Sequence, residues 1–213
     1  MTKRRSVPMA LLACASVAAL GLIAGASPAA AKTKFKTVNA AFSQCQNLAL
    51  PLVSAEDTPT PPSPSPVQQV AFSVPKTPKD SKPRGGKVTG ATVGVRITHT
   101  FDEDVTIYLV SPSGRFIPVD TGHGGTAENF GTGATDCNGT LTIFSDLATT
   151  PIIAGTPPYA GSFKPDSPFA VLNGGIASGV WTVVVADTVG GDDGTLHAVS
   201  LNLTYQYKKP KKK

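Results

Sequence analysis

Aspartates Asp102, Asp104, Asp146, Asp187, Asp192 and Asp193 fall at the ends of β-patterned runs or in the Gly-rich turns between them. Carboxylates carried on loops are the hard oxygen donors that calcium takes. Asp104, Asp146, Asp187 and Asp192 are therefore the expected metal ligands. The competing use of an Asp in such a turn is to accept hydrogen bonds from its own backbone, and the chain has neither an EF-hand loop nor a regular acidic repeat.

The run Asp120-Thr121-Gly122-His123-Gly124-Gly125-Thr126 sets an acid and an imidazole three residues apart. Ser-His-Asp chemistry needs its three groups on separate elements that converge in space. No Gly-Thr-Ser nucleophile motif occurs anywhere in the chain. The run reads as a Gly-rich loop between strands, and the expected catalytic set is empty. His99 lies in a β-patterned run and reads as a hydrogen-bonded structural histidine. His197 has no partner signal.

These residues need elements to hold them, and the chain supplies short β runs. Val67 to Val74, Thr92 to Thr98, Val105 to Leu109, Leu141 to Phe144 and Leu201 to Tyr205 carry β-rich or alternating patterns. Trp181 to Ala186 is almost continuously apolar, as suits a strand inside a sandwich. With no long helical period in the mature part, the expected fold is all-β, an antiparallel sandwich.

The flanks have their own signals. Lys3, Arg4 and Arg5, the apolar run from Val7 to Ala26, and Ala29-Ala30-Ala31 before Lys32 read as a secretory signal peptide over residues 1–31 with cleavage at Ala31. An uncleaved membrane anchor is the alternative. Residues 32–66 comprise an N-terminal segment and a Pro-rich linker: 32–55 either packs on the domain or stays mobile, and Glu56 to Pro66 reads as an extended, solvated linker. The Lys/Pro/Gly-rich stretch from Lys76 to Lys87 reads as a loop or a mobile entry to the domain. The domain proper spans 67–207, and 208–213 is a basic tail.

Cleavage removes Cys14 and leaves Cys45 and Cys137. Two cysteines in an oxidising compartment most simply pair, though spacing alone also allows two free thiols.

The net charge of +5 hides an opposition between segments: residues 88–207 hold Arg96, Arg115 and Lys164 against eleven acidic side chains, and the cations lie in the flanks. No nucleic-acid motif or aromatic platform accompanies the lysines, so nucleic acid is not an expected partner. The five-lysine tail is either a solvated end or a weak contact to an anionic lipid or acidic cell-surface polymer.

An ordered series of motifs gives the domain a likeness. Ile97-Thr98-His99-Thr100 is followed by Asp104-Val105 and Leu109-Val110-Ser111-Pro112-Ser113-Gly114. Next come Gly124-Gly125, Asn129-Phe130, Phe144-Ser145-Asp146-Leu147-Ala148 and Pro158-Tyr159-Ala160-Gly161. The series closes on Gly179, Trp181, Asp187 and Asp192-Asp193-Gly194-Thr195-Leu196. It resembles the P domain, or P/Homo B domain, of subtilisin-like proprotein convertases and bacterial secreted serine proteases, here without a catalytic domain.

The resemblance implies a jelly-roll-like, galactose-binding-like β-sandwich, an association with calcium, and a secreted non-catalytic module. Such a module stabilises, regulates or binds a protein partner such as a subtilisin-like serine endopeptidase. The alternatives are a component of a serine endopeptidase engaged in proteolysis, and a cell-surface or carbohydrate-binding module. Two departures stand out. His197-Ala198-Val199 replaces a Trp the family often carries, and Gly131 to Thr140, with Cys137, looks like an insertion.

Overall fold

Along Val105 to Val110 the residues alternate between fully buried and half-buried, the period of a strand with one face in the core. The same logic repeats through the computed structural model, which describes residues 35–50, 67–133 and 137–209. The expected signal peptide with its Ala31 cleavage point, the Pro-rich linker and the last four residues of the lysine tail lie outside them.

The strands are β1 (Phe35–Ala49), β2 (Gln68–Val74), β3 (Lys82–His99), β4 (Val105–Val110), β5 (Phe116–Thr121) and β6 (Thr132–Gly133). They continue with β7 (Gly139–Thr140), β8 (Thr142–Ser145), β9 (Gly161–Phe163), β10 (Gly179–Asp187) and β11 (Gly194–Lys208). One sheet has the order β1-β11-β3-β8-β9, a second has β2-β10-β4-β5, and β6 and β7 form a ribbon of their own. Pairing is antiparallel throughout the named strands except for β8 with β9, which run parallel. The fold is thus all-β, two sheets packed as a sandwich, with one parallel edge pair that strand patterns alone do not disclose.

The core lies between the sheets. Val93, Val95, Ile97, Leu201 and Leu203 from the first sheet meet Val70, Phe72, Ile107, Leu109, Val183 and Val185 from the second. Burying each such side chain is worth roughly 1.5–3 kcal/mol, an upper estimate because the unfolded chain is already partly compact.

The described part of the segment before the linker packs on the domain. Residues 35–49 pair with β11 along almost their whole length, and Val38, Ala40 and Phe42 pack on the core from the sheet edge. The stretch expected as a loop at 76–87 is one only as far as Ser81, because β3 already starts at Lys82.

The ribbon of β6 and β7 crosses the outer face of the first sheet. Cys45, Ala198 and Arg96 are register partners across β1, β11 and β3, so they form one transverse row. At one end of the row Cys45 is disulfide-bonded to Cys137, which sits between β6 and β7. At the other, the buried Arg96 donates from Nη2 to the Gly133 carbonyl at 2.7 Å and from Nε to that of Thr132 at 3.3 Å. The guanidinium takes those carbonyls out of water with charge-assisted bonds. Gly139 is glycine because a Cβ there would run into the Thr132 carbonyl and the Arg96 side chain.

Candidate functional site

The acidic loops gather at strand ends. The 3₁₀ turn Asp102–Asp104 links β3 to β4, and its backbone is tied to the loop after β5. Asp102 N–H donates to the Ala127 carbonyl at 2.9 Å and Glu103 N–H to that of Gly125 at 3.3 Å. Gly122, at φ +89°, brings the loop close: a Cβ there would meet the Glu103 carbonyl oxygen at 2.5 Å.

Within this frame Asp120, at the end of β5, is fully buried. Its Oδ2 accepts a long bond of 3.4 Å from Gly122 N–H, and its Oδ1 has no hydrogen-bond partner. His123 Nε2 lies 2.8 Å from Asp166 Oδ1, and Thr121 Oγ1–H donates to Asp166 Oδ2 at 2.6 Å. Asp166 is itself fixed, since its N–H donates to the Val119 carbonyl at 3.1 Å and that of Ser167 to Pro118 at 3.0 Å. One ligand atom from each of Asp120, His123 and Asp166 lies within 4.8 Å of the others, so the group can hold a metal ion.

A second buried carboxylate adjoins it. Asp102 Oδ1 accepts from Asn129 N–H at 2.7 Å, while Oδ2 has no partner. Burial pushes the Asp102 carboxyl up to about 7; the Asn129 N–H pulls it down, and the charges of Asp120 and Glu128 push it further up. Burial likewise pushes Asp120 up to about 7, offset by His123, with the Asp166 charge adding to the rise. Tyr159 is raised by burial and by both of these carboxylates.

A pH dependence follows. An unfolded aspartate titrates near 3.8, so between that pH and about 7 the folded protein keeps protons the unfolded chain has released. The stabilisation is complete below the unfolded value and is lost as pH rises through the folded one. In chelator, the urea midpoint is therefore expected to fall between pH about 5 and pH about 8. Asp102→Asn, which keeps an acceptor for Asn129, should remove a large part of that slope. A midpoint that rises over this range, or a slope the variant leaves intact, would refute the assignment.

The sequence-derived ligand set is distributed differently. Asp104 and Asp187 are buried near His99, and burial, then the Asp187 charge, raises the Asp104 carboxyl, with His99 opposing and Asp192 and Glu103 adding. Asp192 Oδ1 accepts from Thr100 Oγ1 at 2.7 Å. Asp146 is engaged elsewhere: its two oxygens accept Phe169 N–H at 2.8 Å and Ala170 N–H at 2.7 Å, satisfying the first turn of the 3₁₀ helix Phe169–Leu172. Among the described residues, the set whose ligand atoms converge is Asp120, His123 and Asp166.

The histidines divide by role. His99 is buried, with Nδ1 accepting Phe101 N–H at 3.1 Å; its Nε2 makes no hydrogen bond but lies 3.4 Å from Asp187 Oδ2, so the end of β3 faces that of β10 across the two sheets. His197 sits where β11 shifts register. Its Nδ1 is 2.8 Å from Asn47 Oδ1 and its Nε2 2.9 Å from Thr98 Oγ1, so one buried ring bridges β1 and β3. Sequence reading offered no partner for it because both lie far away in the chain.

No family model matches the chain, and no curated protein matches it. Two similar solved structures come from one organism. One is the crystal structure of a serine protease of Aeromonas sobria, with 14% identity, a TM-score of 0.43, and coverage of 80% of this chain and 27% of that one. The other is the crystal structure of the Aeromonas sobria serine protease and chaperone complex, with 15% identity, a TM-score of 0.42 and the same coverage. The chain thus spans about a quarter of the length of the structures it matches.

Proposed function

We propose that the protein is a secreted, non-catalytic module of the P-domain type, which binds and stabilises a protein partner, a subtilisin-like serine endopeptidase being the expected class. The observation that carries this reading is how the motif residues are spent. His99 joins Asp187 and the Phe101 N–H; Ser111 Oγ accepts the Arg115 N–H at 3.1 Å in the turn after β4; Asp146 caps a turn; and Trp181 is core. The series that resembles the family builds a fold, which is what a module acting through its surface requires. The disulfide supports an extracellular setting. A divalent cation held at the loop end adds to stability, and the family resemblance implies calcium.

Of the rivals, a carbohydrate-binding face would need exposed aromatic rings. Among the described residues the exposed one is Phe35, and the Lys208 ammonium lies over its ring at 5.5 Å.

The test mixes the full chain with purified subtilisin-like proteases from the same secretome. Thermal inactivation of each protease is followed with and without the protein, and the protein alone is treated with a serine-directed fluorophosphonate. A partner gains several degrees of stability if the reading holds. Covalent labelling of any serine in this chain would sink the non-catalytic part, and unchanged inactivation of every protease would sink the partner class.

A further inference from the structure

We propose that Asp120, His123 and Asp166 form a site for one first-row transition dication of the zinc class, rather than for calcium. This rests on the reading of the loop end as a cation site and is independent of the partner.

The donor set carries the argument. Calcium takes six to eight oxygens, whereas imidazole nitrogen suits zinc and its neighbours. Here the centre of the group is an imidazole. His123 Nε2 already faces a carboxylate at 2.8 Å, and one more carboxylate lies within 4.8 Å. Ligands about 2.1 Å from a tetrahedral zinc stand about 3.4 Å apart, so small side-chain adjustments close the set. The ion takes the place of the proton between His123 and Asp166.

A second observation concerns the same carboxylate. Asp120 is fully buried, and although the Gly122 and His123 backbone N–H groups lean toward its carboxylate, its Oδ1 makes no hydrogen bond of good geometry. An orphaned buried carboxylate oxygen is costly unless a cation or donor meets it. Preorganisation is visible too. Thr121 holds the far oxygen of Asp166, and two backbone bonds fix the 166–167 segment to β5.

Access is open on one side. The His123 and Asp166 side chains keep 19% and 21% of their surface, while Asp120 is at the bottom. Three protein ligands with a solvent-facing position leave room for a water or a fourth ligand.

The experiment uses the full chain stripped with chelator. Cobalt(II) is titrated while visible d–d absorption is recorded, followed by competition with zinc and, separately, with millimolar calcium. One equivalent of cobalt should bind with a four-coordinate spectrum, zinc should displace it, and calcium should not. His123→Gln and Asp166→Asn, both at part-exposed positions, should each weaken cobalt binding at least about tenfold while the circular dichroism spectrum stays that of the parent. Calcium displacing cobalt, with His123→Gln binding as tightly as the parent, would overturn the zinc-class assignment and leave the cation site standing. Failure of every ion to bind would overturn both.

Discussion

Replacing Cys45 and Cys137 together with serine should lower the unfolding free energy by about 4–5 kcal/mol. The bridge spans 92 residues, and the chain-entropy model assigns that much to a loop of this length. For a chain of this size the melting temperature should fall by about 10–15 °C. The effect has a structural address. Cys45 and Arg96 hold the ends of one transverse row of the first sheet, and the β6–β7 ribbon is fastened at both. Without the bridge the ribbon keeps its Arg96 bonds and β1 its pairing with β11. Folding should therefore survive, at lower stability, with the unchanged β-rich circular dichroism spectrum of the parent. Urea denaturation of the double variant, and of the parent in strong reductant, measures the loss. A difference below about 1 kcal/mol would refute the chain-entropy account for this loop.

The pairing of Cys45 with Cys137 marks the reach of sequence reading. Compartment and number make the two cysteines natural partners, but their proximity depends on β1 joining the sheet. β1 itself gives a weak signal, because an edge strand buries one face only partly. Its inward residues Val38, Ala40 and Phe42 are merely half-buried. What recruits it is the long partner β11. By contrast β4, β8 and β10 announce themselves, since each buries one face or both and so must alternate or run apolar.

The start of β3 misleads for a physical reason. Gly85 and Gly86 read as loop residues, yet they lie inside the strand at φ +89° and +73°. Ordinary side chains do not fit there. A Cβ on Gly85 would meet Ser178 Oγ at 2.6 Å, and one on Gly86 would meet the Tyr205 ring at 2.6 Å. The same residue type that ends strands elsewhere here permits a close approach.

The candidate site was legible only as a spacing. Asp120 and His123 stand three residues apart in a run that reads from sequence as a Gly-rich loop, and none of the three converging residues belongs to the expected ligand set Asp104, Asp146, Asp187 and Asp192. Asp166 lies 43 residues beyond His123 and is delivered by backbone bonds to β5, which no local pattern encodes. Acidic residues in turns, taken one by one, look alike; burial distinguishes Asp120 and Asp102 from Asp146, whose oxygens both meet backbone donors.

Trp181→Ala should destabilise the fold by about 3–5 kcal/mol, the range for deleting a large buried aromatic. Trp181 is 1% exposed, pairs in register with Phe72, and fills the core where β10 meets β2. Its Nε1–H also donates to the Ala177 carbonyl at 2.8 Å. That carbonyl belongs to a loop that closes on β3, with Ala177 N–H on the Gly86 carbonyl at 3.2 Å and Ser178 N–H on that of Gly85 at 3.0 Å. The indole therefore does two jobs, volume and loop anchoring, which Trp181→Phe separates. Phenylalanine restores most of the apolar volume but leaves the carbonyl without its donor, at a cost of about 1–3 kcal/mol. As the chain has a single tryptophan, the parent's fluorescence reports this spot alone, and the variants must be followed by circular dichroism in urea. If Phe costs as much as Ala, the anchoring bond dominates and the loop over Gly85 and Gly86 is what Trp181 mainly holds. If Phe costs nothing, packing carries the whole effect and the hydrogen bond is incidental. A loss between these limits, with the alanine variant clearly the weaker, is what the geometry of β10 and its loop requires.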